Sequence, residues 1–113
     1  MINKGYVYLL LEVDQLGNES HKIGISKNEP TKRLNQLKTG NSNVISLLNY
    51  YESYEYKTIE KWLHTRFSTK KTLADNEWFK LNDSDVLGFI ELCKKLEETI
   101  ILLKNQNTFF NNE

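Results

Sequence analysis

The sequence has one cysteine, Cys93, and no apolar run that approaches the roughly 18 residues of a membrane-spanning helix. A lone cysteine excludes an internal disulfide. Because Cys93 stands among apolar residues, we expect it to be a small buried side chain. The first residues lack the apolar core of a signal peptide, so we expect a cytoplasmic protein.

Signs of disorder are also missing. The hydrophobic fraction of 39% and the aromatic fraction of 12% are both too high for a disordered chain. The 113 residues fit one domain, which can bury roughly two-thirds of its unfolded surface. We expect this domain to span residues 1–104 and a frayed polar tail to span residues 105–113.

The chain has no net charge, because 15 basic residues balance 15 acidic ones. The charges are unevenly distributed, with −2 over residues 1–21, +6 over residues 22–71 and −4 over residues 72–113. A basic segment suits a polyanion, because Lys and Arg displace counterions from phosphates. Charge alone does not separate this interpretation from an unevenly charged, solvated surface.

Three stretches of sequence are rich in the β-branched and aromatic residues typical of strands, namely Tyr6 to Val13, His21 to Ser26 and Val44 to Tyr51. A turn signal at residues 14–18 predicts that the first two stretches form a hairpin. A further short edge strand is expected within residues 77–81.

Helices are predicted between and after these strands. One begins near Pro30, and a second covers residues 53–67, where an apolar residue recurs at every fourth position. A long final helix is expected over residues 84–104. The order of elements predicts an α+β domain, with a small antiparallel sheet of about three strands plus a short edge strand, flanked by helices.

Several short motifs follow one another in a fixed order. They are Gly5-Tyr6-Val7-Tyr8, Lys22-Ile23-Gly24, Arg33, Glu60 and Asn76-Glu77-Trp78-Phe79. Together they resemble the motifs of the GIY-YIG nuclease superfamily, in its phage- and virus-rich branch with a KIG second motif and a C-terminal EWF segment. The resemblance covers residues 5–90 and implies a bacterial or phage-encoded protein.

The resemblance implies a metal-dependent endonuclease that hydrolyses phosphodiester bonds, with Mg²⁺ or Mn²⁺ as cofactor and DNA rather than RNA as substrate. Glu60 would hold the cation, since hard cations prefer carboxylate oxygen. Arg33 would present a planar fork of donors to phosphate oxygens. Tyr8 would position or deprotonate the attacking water. A free phenol has a pKa near 10, so Lys22 would assist as a positive neighbour or as a proton acceptor.

His64 and Asn76 each have two possible interpretations. His64, four residues after Glu60, is either a ligand or phosphate contact or a partly buried helix histidine. Asn76 is either part of the site or a turn residue. Tyr6 is expected in the core and His21 on the strand surface. The expected phosphate contacts are Lys27, Lys32, Lys38, Lys61, Lys70 and Lys71.

Two other functions stay open. One is a nucleic-acid-binding module on the same fold with weak or no catalytic activity, which the small size of the chain favours. The other is an oligomerising interaction protein, because apolar residues of the final helix fall on a heptad seam. That seam predicts a weak homodimer and consists of Val86, Phe89, Cys93, Leu96, Ile100 and Leu103.

Overall fold

A computed structural model describes residues 3–31, 43–72 and 78–111 of the chain, with side chains up to residue 106. Its strands are β1 (Gly5–Val13), β2 (Glu19–Ser26), β3 (Val44–Ser53) and β4 (Trp78–Phe79). Its helices are α1 (Tyr56–Arg66), α2 (Asp83–Leu87) and α3 (Phe89–Asn111), and residues Ser68–Lys70 form a 3-10 turn. The predicted α+β class is confirmed.

The sheet has the strand order β3-β1-β2-β4, with antiparallel pairing throughout. The predicted hairpin of β1 and β2 is confirmed. Its turn is held by Asp14, whose carboxylate accepts hydrogen bonds of 2.9 Å from the backbone N–H groups of Leu16 and Asn18. Gly17 adopts a φ of 84° in this turn, a left-handed conformation that glycine takes without steric cost.

Strand β1 is buried on both faces of the sheet from Val7 to Leu10. On one face, Val7, Leu9 and Ile23 pack against helices α1 and α3. The predicted apolar stripe of α1 lies on this face, and its members Ile59, Leu63 and Phe67 are all buried. On the opposite face, a smaller cluster contains Tyr8, Leu10 and Ile45. The central strand therefore carries side chains of both clusters.

The predicted long C-terminal helix is confirmed as α3, but its predicted start at residue 84 is wrong, because a separate short helix, α2, precedes it. Asn82 begins α2 with a capping box, in which its side chain and that of Asp85 each accept a hydrogen bond from the other's backbone N–H. Helix α2 ends at Leu87, the poor helix former Gly88 follows, and α3 starts at Phe89. Helix α3 then continues past the predicted end at residue 104 to Asn111.

Helix α3 is fastened to the sheet by polar contacts as well as by apolar ones. The carboxylate of Glu97 accepts hydrogen bonds from the hydroxyls of Tyr51, at 2.7 Å, and Ser53. Further along, Lys104 Nζ lies 2.6 Å from Glu55 Oε1. Because Ser53 ends β3 and Glu55 precedes α1, both contacts hold the junction between these elements. Residue 53 was predicted to begin the helix, which instead begins at Tyr56.

The apolar face of α3 is divided between buried and exposed residues. Cys93 is fully buried, as predicted, and burial raises the pKa of its thiol to about 12. Ile100 is also buried, whereas Ile101, Leu102 and Leu103 are each more than two-fifths exposed. None of the described helices combines the length and apolar character that crossing a membrane requires.

Candidate active site

Tyr8 and Gly24 are cross-strand partners in the centre of the sheet. The ring of Tyr8 extends from β1 across β2, so that a Cβ atom added at Gly24 would lie 2.5 Å from the Tyr8 Cζ atom. Only glycine leaves room for the ring at this position. A glycine inside a strand usually weakens the strand and often marks a close approach of another group. At Gly24 that group is the Tyr8 ring, whose hydroxyl lies against the backbone of β2.

Lys22 projects from the same face of the sheet as Tyr8. The two cross-strand pairs Tyr8–Gly24 and Leu10–Lys22 are separated by two residues on each strand, and side chains two residues apart share a face. The Lys22 ammonium lies 5.9 Å from the centre of the Trp78 ring. The expected proximity of Tyr8 and Lys22 is therefore sterically possible in this sheet.

Glu60 and His64 lie one turn apart on α1, and both side chains are mostly buried, with exposures of 25% and 20%. The distance of 3.8 Å between Glu60 Oε2 and His64 Nε2 is too long for a hydrogen bond. His64 Nε2 instead lies 2.9 Å from the carbonyl oxygen of Ile23. A carbonyl accepts only, so Nε2 carries the proton, and a neutral ring would contact a ligand through Nδ1.

Strand β4 is only two residues long, so it pairs with part of the edge of β2, and a side chain of helix α1 bonds to the next residue of that edge. It pairs with His21 and Lys22, and within the described residues its pairing with β2 goes no further. The next residue, Ile23, offers its carbonyl to His64. The residue after that, Gly24, lies under the Tyr8 ring. Lys22 therefore adjoins two residues of β2 that are reached by other predicted site residues, Ile23 by His64 and Gly24 by Tyr8. Tyr8 is 2% exposed and lies with Lys22 on the sheet face opposite to α1, whereas Glu60 lies on α1 one turn before His64.

A surface depression on α1 surrounds the Glu60 carboxylate; we call it the Glu60 depression. Among the described residues that line it, Glu60 is the one carboxylate, and three are lysines. Its lining consists of Lys57, Glu60, Lys61, His64, Thr65, Ser68 and Lys71. A single carboxylate within a basic surface can attract phosphate and hold one hard cation at the same place.

A cation site in this depression would depend on Glu60 and on oxygen atoms from outside the protein. Within the described part of the chain, no group of three or more His, Cys, Asp or Glu side chains is arranged to hold a metal. Mg²⁺ does not need such a group, since one or two carboxylates, water and substrate phosphates commonly hold it. Glu60 fits that pattern, and it does not fit a tetrahedral zinc site.

The other predicted site residues fall into two groups, those within the described residues and those outside them. Arg33, Asn76, Lys32 and Lys38 lie outside the described residues. Exposed side chains are found at Lys27, Lys61 and Lys71. Lys70 differs from these, because its ammonium lies 2.5 Å from Asp85 Oδ2 and ties the 3-10 turn to the cap of α2. Lys70 therefore has a structural role, and its contact with phosphate stays a prediction.

His21 and Tyr6 are not where the sequence predicted them. His21, expected on the surface, is 5% exposed, because Phe79 of the short strand β4 pairs with it. Burial lowers its pKa, and Nδ1 finds no hydrogen-bond partner within the described residues. Tyr6, expected in the core, is only half-buried, and its hydroxyl donates to Glu52 at 3.0 Å.

One of the three lysines of the Glu60 depression, Lys57, was missed by the sequence analysis. Lys57 precedes Lys61 by one helical turn, so the two lysines project from one face of α1 on either side of the position of Glu60. This Lys-x-x-Glu-Lys spacing was visible in the sequence. The predicted helix over residues 53–67 already contained Lys57, so the spacing alone could have identified this lysine.

Comparisons with known proteins agree with a nuclease-associated domain. The model of the T5orf172 domain family matches residues 5–94. The matched range includes the strands, helix α1 and the Glu60 depression. Searches of curated proteins and of solved structures found no match.

Proposed function

This chain belongs to the T5orf172 domain family, which is nuclease-associated, and we propose that it is a metal-dependent endonuclease of the GIY-YIG type. The observation that carries the proposal is the position of Glu60. Its carboxylate lies among three lysines, one turn of α1 before His64, which contacts the carbonyl of Ile23 in β2. DNA is the proposed substrate, with RNA as the second choice.

Substrate binding would begin with the lysines around Glu60. Lys57, Lys61 and Lys71 are exposed, and their ammonium groups can replace counterions on the phosphate backbone. Such contacts do not distinguish sequences, because every nucleotide offers the same phosphate. They would place a phosphodiester against the carboxylate of Glu60.

Glu60 would hold a Mg²⁺ or Mn²⁺ ion, with water and the substrate phosphate completing the coordination. Such an ion, when bound, supplies a Lewis acid that stabilises negative charge on the phosphoryl and leaving oxygens. The surrounding lysines attract the phosphate, while the partial burial of Glu60 holds its carboxylate in one position. Arg33, outside the described residues, is proposed as a further phosphate contact.

Tyr8 would orient or deprotonate the attacking water. Its ring is fixed by packing against Gly24, so the hydroxyl needs little reorganisation to act. Lys22 projects from the same face and would favour the phenolate as a positive neighbour or accept the proton itself. Asn76, also outside the described residues, would contact the substrate in this proposal.

His64 has a positioning role in this proposal. Its hydrogen bond to Ile23 joins α1 to β2 and so holds the helical turn that carries Glu60 against the strand. Its ring also contacts Phe79 edge-on, with centroids 5.0 Å apart. Both contacts restrict the imidazole to one orientation.

Incubation of the purified chain with labelled DNA and RNA, single- and double-stranded, tests the proposal. Cleavage should require Mg²⁺ or Mn²⁺ and stop in EDTA. Glu60→Gln should abolish cleavage without loss of folding, whereas the matched control Glu91→Gln, at an exposed site on α3, should cut like the wild type. Cleavage that survives EDTA, or that Glu60→Gln performs at the wild-type rate, contradicts the proposal.

A second candidate function is a nucleic-acid-binding module with weak or no catalytic activity. The described residues favour it in one respect, because no second carboxylate joins Glu60 in the depression. The same lysines would serve binding without cleavage. In the assay above, this function predicts retention of labelled nucleic acid with no cut product at any metal concentration.

A further inference from the structure

A second basic depression lies where β3 turns into α1. Four lysines line it, Lys4, Lys27, Lys57 and Lys104, together with one carboxylate, that of Glu55. These groups give the lining a formal charge of +3. Tyr54 also lines it, and we call it the Tyr54 depression.

Tyr54 is an aromatic residue that the fold leaves in contact with solvent. It stands in the turn after β3, and 55% of its surface is exposed. The Lys4 ammonium lies 5.1 Å from the centre of its ring. An exposed aromatic ring between lysines combines two features that bind single-stranded nucleic acid, a surface for base stacking and cations for phosphates.

The four lysines are not equally available to a ligand. Lys104 is paired with Glu55 at 2.6 Å, and Lys4 lies 3.5 Å from Glu52. Lys27 and Lys57 are both exposed. Within the described residues, the Lys57 ammonium forms no ion pair and lies 5.8 Å from the centre of the Tyr56 ring. A phosphate in this depression would therefore be contacted chiefly by Lys27 and Lys57.

Lys57 connects the Tyr54 depression to the Glu60 depression, since it lines both. Lys61 follows one turn later, about 6 Å further along the axis of α1. A basic surface therefore runs from Lys27 past Lys57 to Lys61. It leads to the carboxylate of Glu60, which is the one acidic side chain among the described residues that line the Glu60 depression.

We propose that the Tyr54 depression is a nucleic-acid subsite for a single-stranded segment adjoining the bond at Glu60. One base stacks on Tyr54, and neighbouring phosphates contact Lys27 and Lys57. The position of the segment relative to the cut rests on the proposed nuclease function. The binding itself does not, because it requires neither the metal nor Glu60.

Fluorescence anisotropy with a labelled single-stranded DNA of about 12 nucleotides, within the range of known single-strand sites, tests the subsite. The measurement is made in EDTA, where no cleavage is expected. Tyr54→Ala should weaken binding roughly fivefold or more, the effect of losing one stacked base, whereas Tyr54→Phe should bind like the wild type. Lys27→Glu should weaken binding more than Lys94→Glu, the same charge change on α3.

The subsite is overturned if correctly folded Tyr54→Ala binds like the wild type, or if Lys27→Glu binds no more weakly than Lys94→Glu. Thermal melting of each variant confirms folding, and both Tyr54 and Lys27 are exposed enough for substitution.

The subsite and the nuclease proposal fail separately. If the wild type cuts nothing but Tyr54→Ala loses affinity, the subsite stands and the nuclease function falls. If the wild type cuts with Mg²⁺ and Tyr54→Ala binds and cuts normally, the nuclease function stands and the subsite falls.

Discussion

His64 Nε2 lies 2.9 Å from the carbonyl oxygen of Ile23, and this hydrogen bond joins helix α1 to strand β2 immediately before Gly24. The carbonyl lies just past the two residues of β2 that pair with β4. A side chain from the helix thus continues the hydrogen bonding of the strand edge. The bond also fixes the helical turn that carries Glu60.

We expect His64→Ala to lower the free energy of unfolding by about 1–3 kcal/mol, because it leaves the buried carbonyl of Ile23 without its partner. His64→Gln should recover part of the loss, since its amide can donate to the same oxygen. Urea denaturation measures both, with exposed Thr65→Ala as the control.

Cleavage by the same variants separates the two roles left open for His64. A positioning residue predicts that His64→Gln recovers activity together with stability. A fully stable His64→Gln with no cleavage would show instead that the imidazole contacts the metal or the phosphate directly.

Gly24→Ala should destabilise the fold by about 1–3 kcal/mol, because its Cβ would meet the Tyr8 ring at 2.5 Å. Tyr8→Leu removes the ring, so the cost of Gly24→Ala should be smaller in that background. A double-mutant cycle in urea measures this coupling. Equal costs in both backgrounds would mean that the ring moves aside freely.

Local features of this fold could be predicted from the sequence, whereas contacts between distant residues could not. The strands, the hairpin and the stripe of α1 follow from local patterns of apolar and turn residues, and all were predicted. The burial of His21 was not, because it depends on Phe79, which is 58 positions further along the chain. The ion pair of Lys70 with Asp85 was not predicted for the same reason, because Asp85 lies on another element.

The break at Gly88 was missed for a different reason. The apolar pattern continues from Val86 through Phe89 without interruption, so periodicity alone predicts one helix. The local signals were present, however. Asn82 followed by Asp85 is a capping pair at the required spacing, and Gly88 supplies the stop. Cap and stop residues close together indicate a short helix even where the apolar pattern does not change.

Burial lowers the pKa of His21 below its ordinary value of 6.5. The unfolded chain then binds a proton that the folded chain rejects, so stability present above pH 6.5 is lost as the pH falls toward the folded pKa. We expect His21→Leu to lose less stability than the wild type between pH 7.5 and about pH 5. Urea denaturation at several pH values measures the difference, and identical profiles would contradict it.

Nucleic-acid binding should weaken steeply with salt, and the slope should fall by about one unit for each phosphate contact removed. We expect this for Lys61→Glu and Lys71→Glu, with Lys94→Glu as the control. Lys70→Glu should act differently and reduce stability, because it breaks the ion pair with Asp85. Binding that is insensitive to salt would exclude the basic surface as the contact.

Three residues of the predicted seam, Phe89, Cys93 and Ile100, are buried in the core of the domain itself. A weak homodimer through α3 stays a prediction, and it would use the exposed residues Ile101, Leu102 and Leu103. Sedimentation should show an association that Leu102→Glu/Leu103→Glu removes. Ile100 is unsuitable for this test because it is buried and its substitution would unfold the helix contact. Leu16→Glu, at an exposed leucine in the hairpin turn, is the control. A wild-type monomer at tens of micromolar, where a modest interface would show, excludes the dimer.

The contacts that hold the β3–α1 junction lie beyond the region shared with the family. The family match ends at residue 94, whereas the residues of α3 that grip the junction are Glu97 and Lys104. A chain trimmed to the family boundary would keep every proposed catalytic residue. It would nevertheless lose the polar contacts made by Glu97 and Lys104 on either side of the turn that carries Tyr54. We therefore expect the smallest unit that folds on its own to extend past residue 94, and protease digestion should spare α3 at least as far as Lys104.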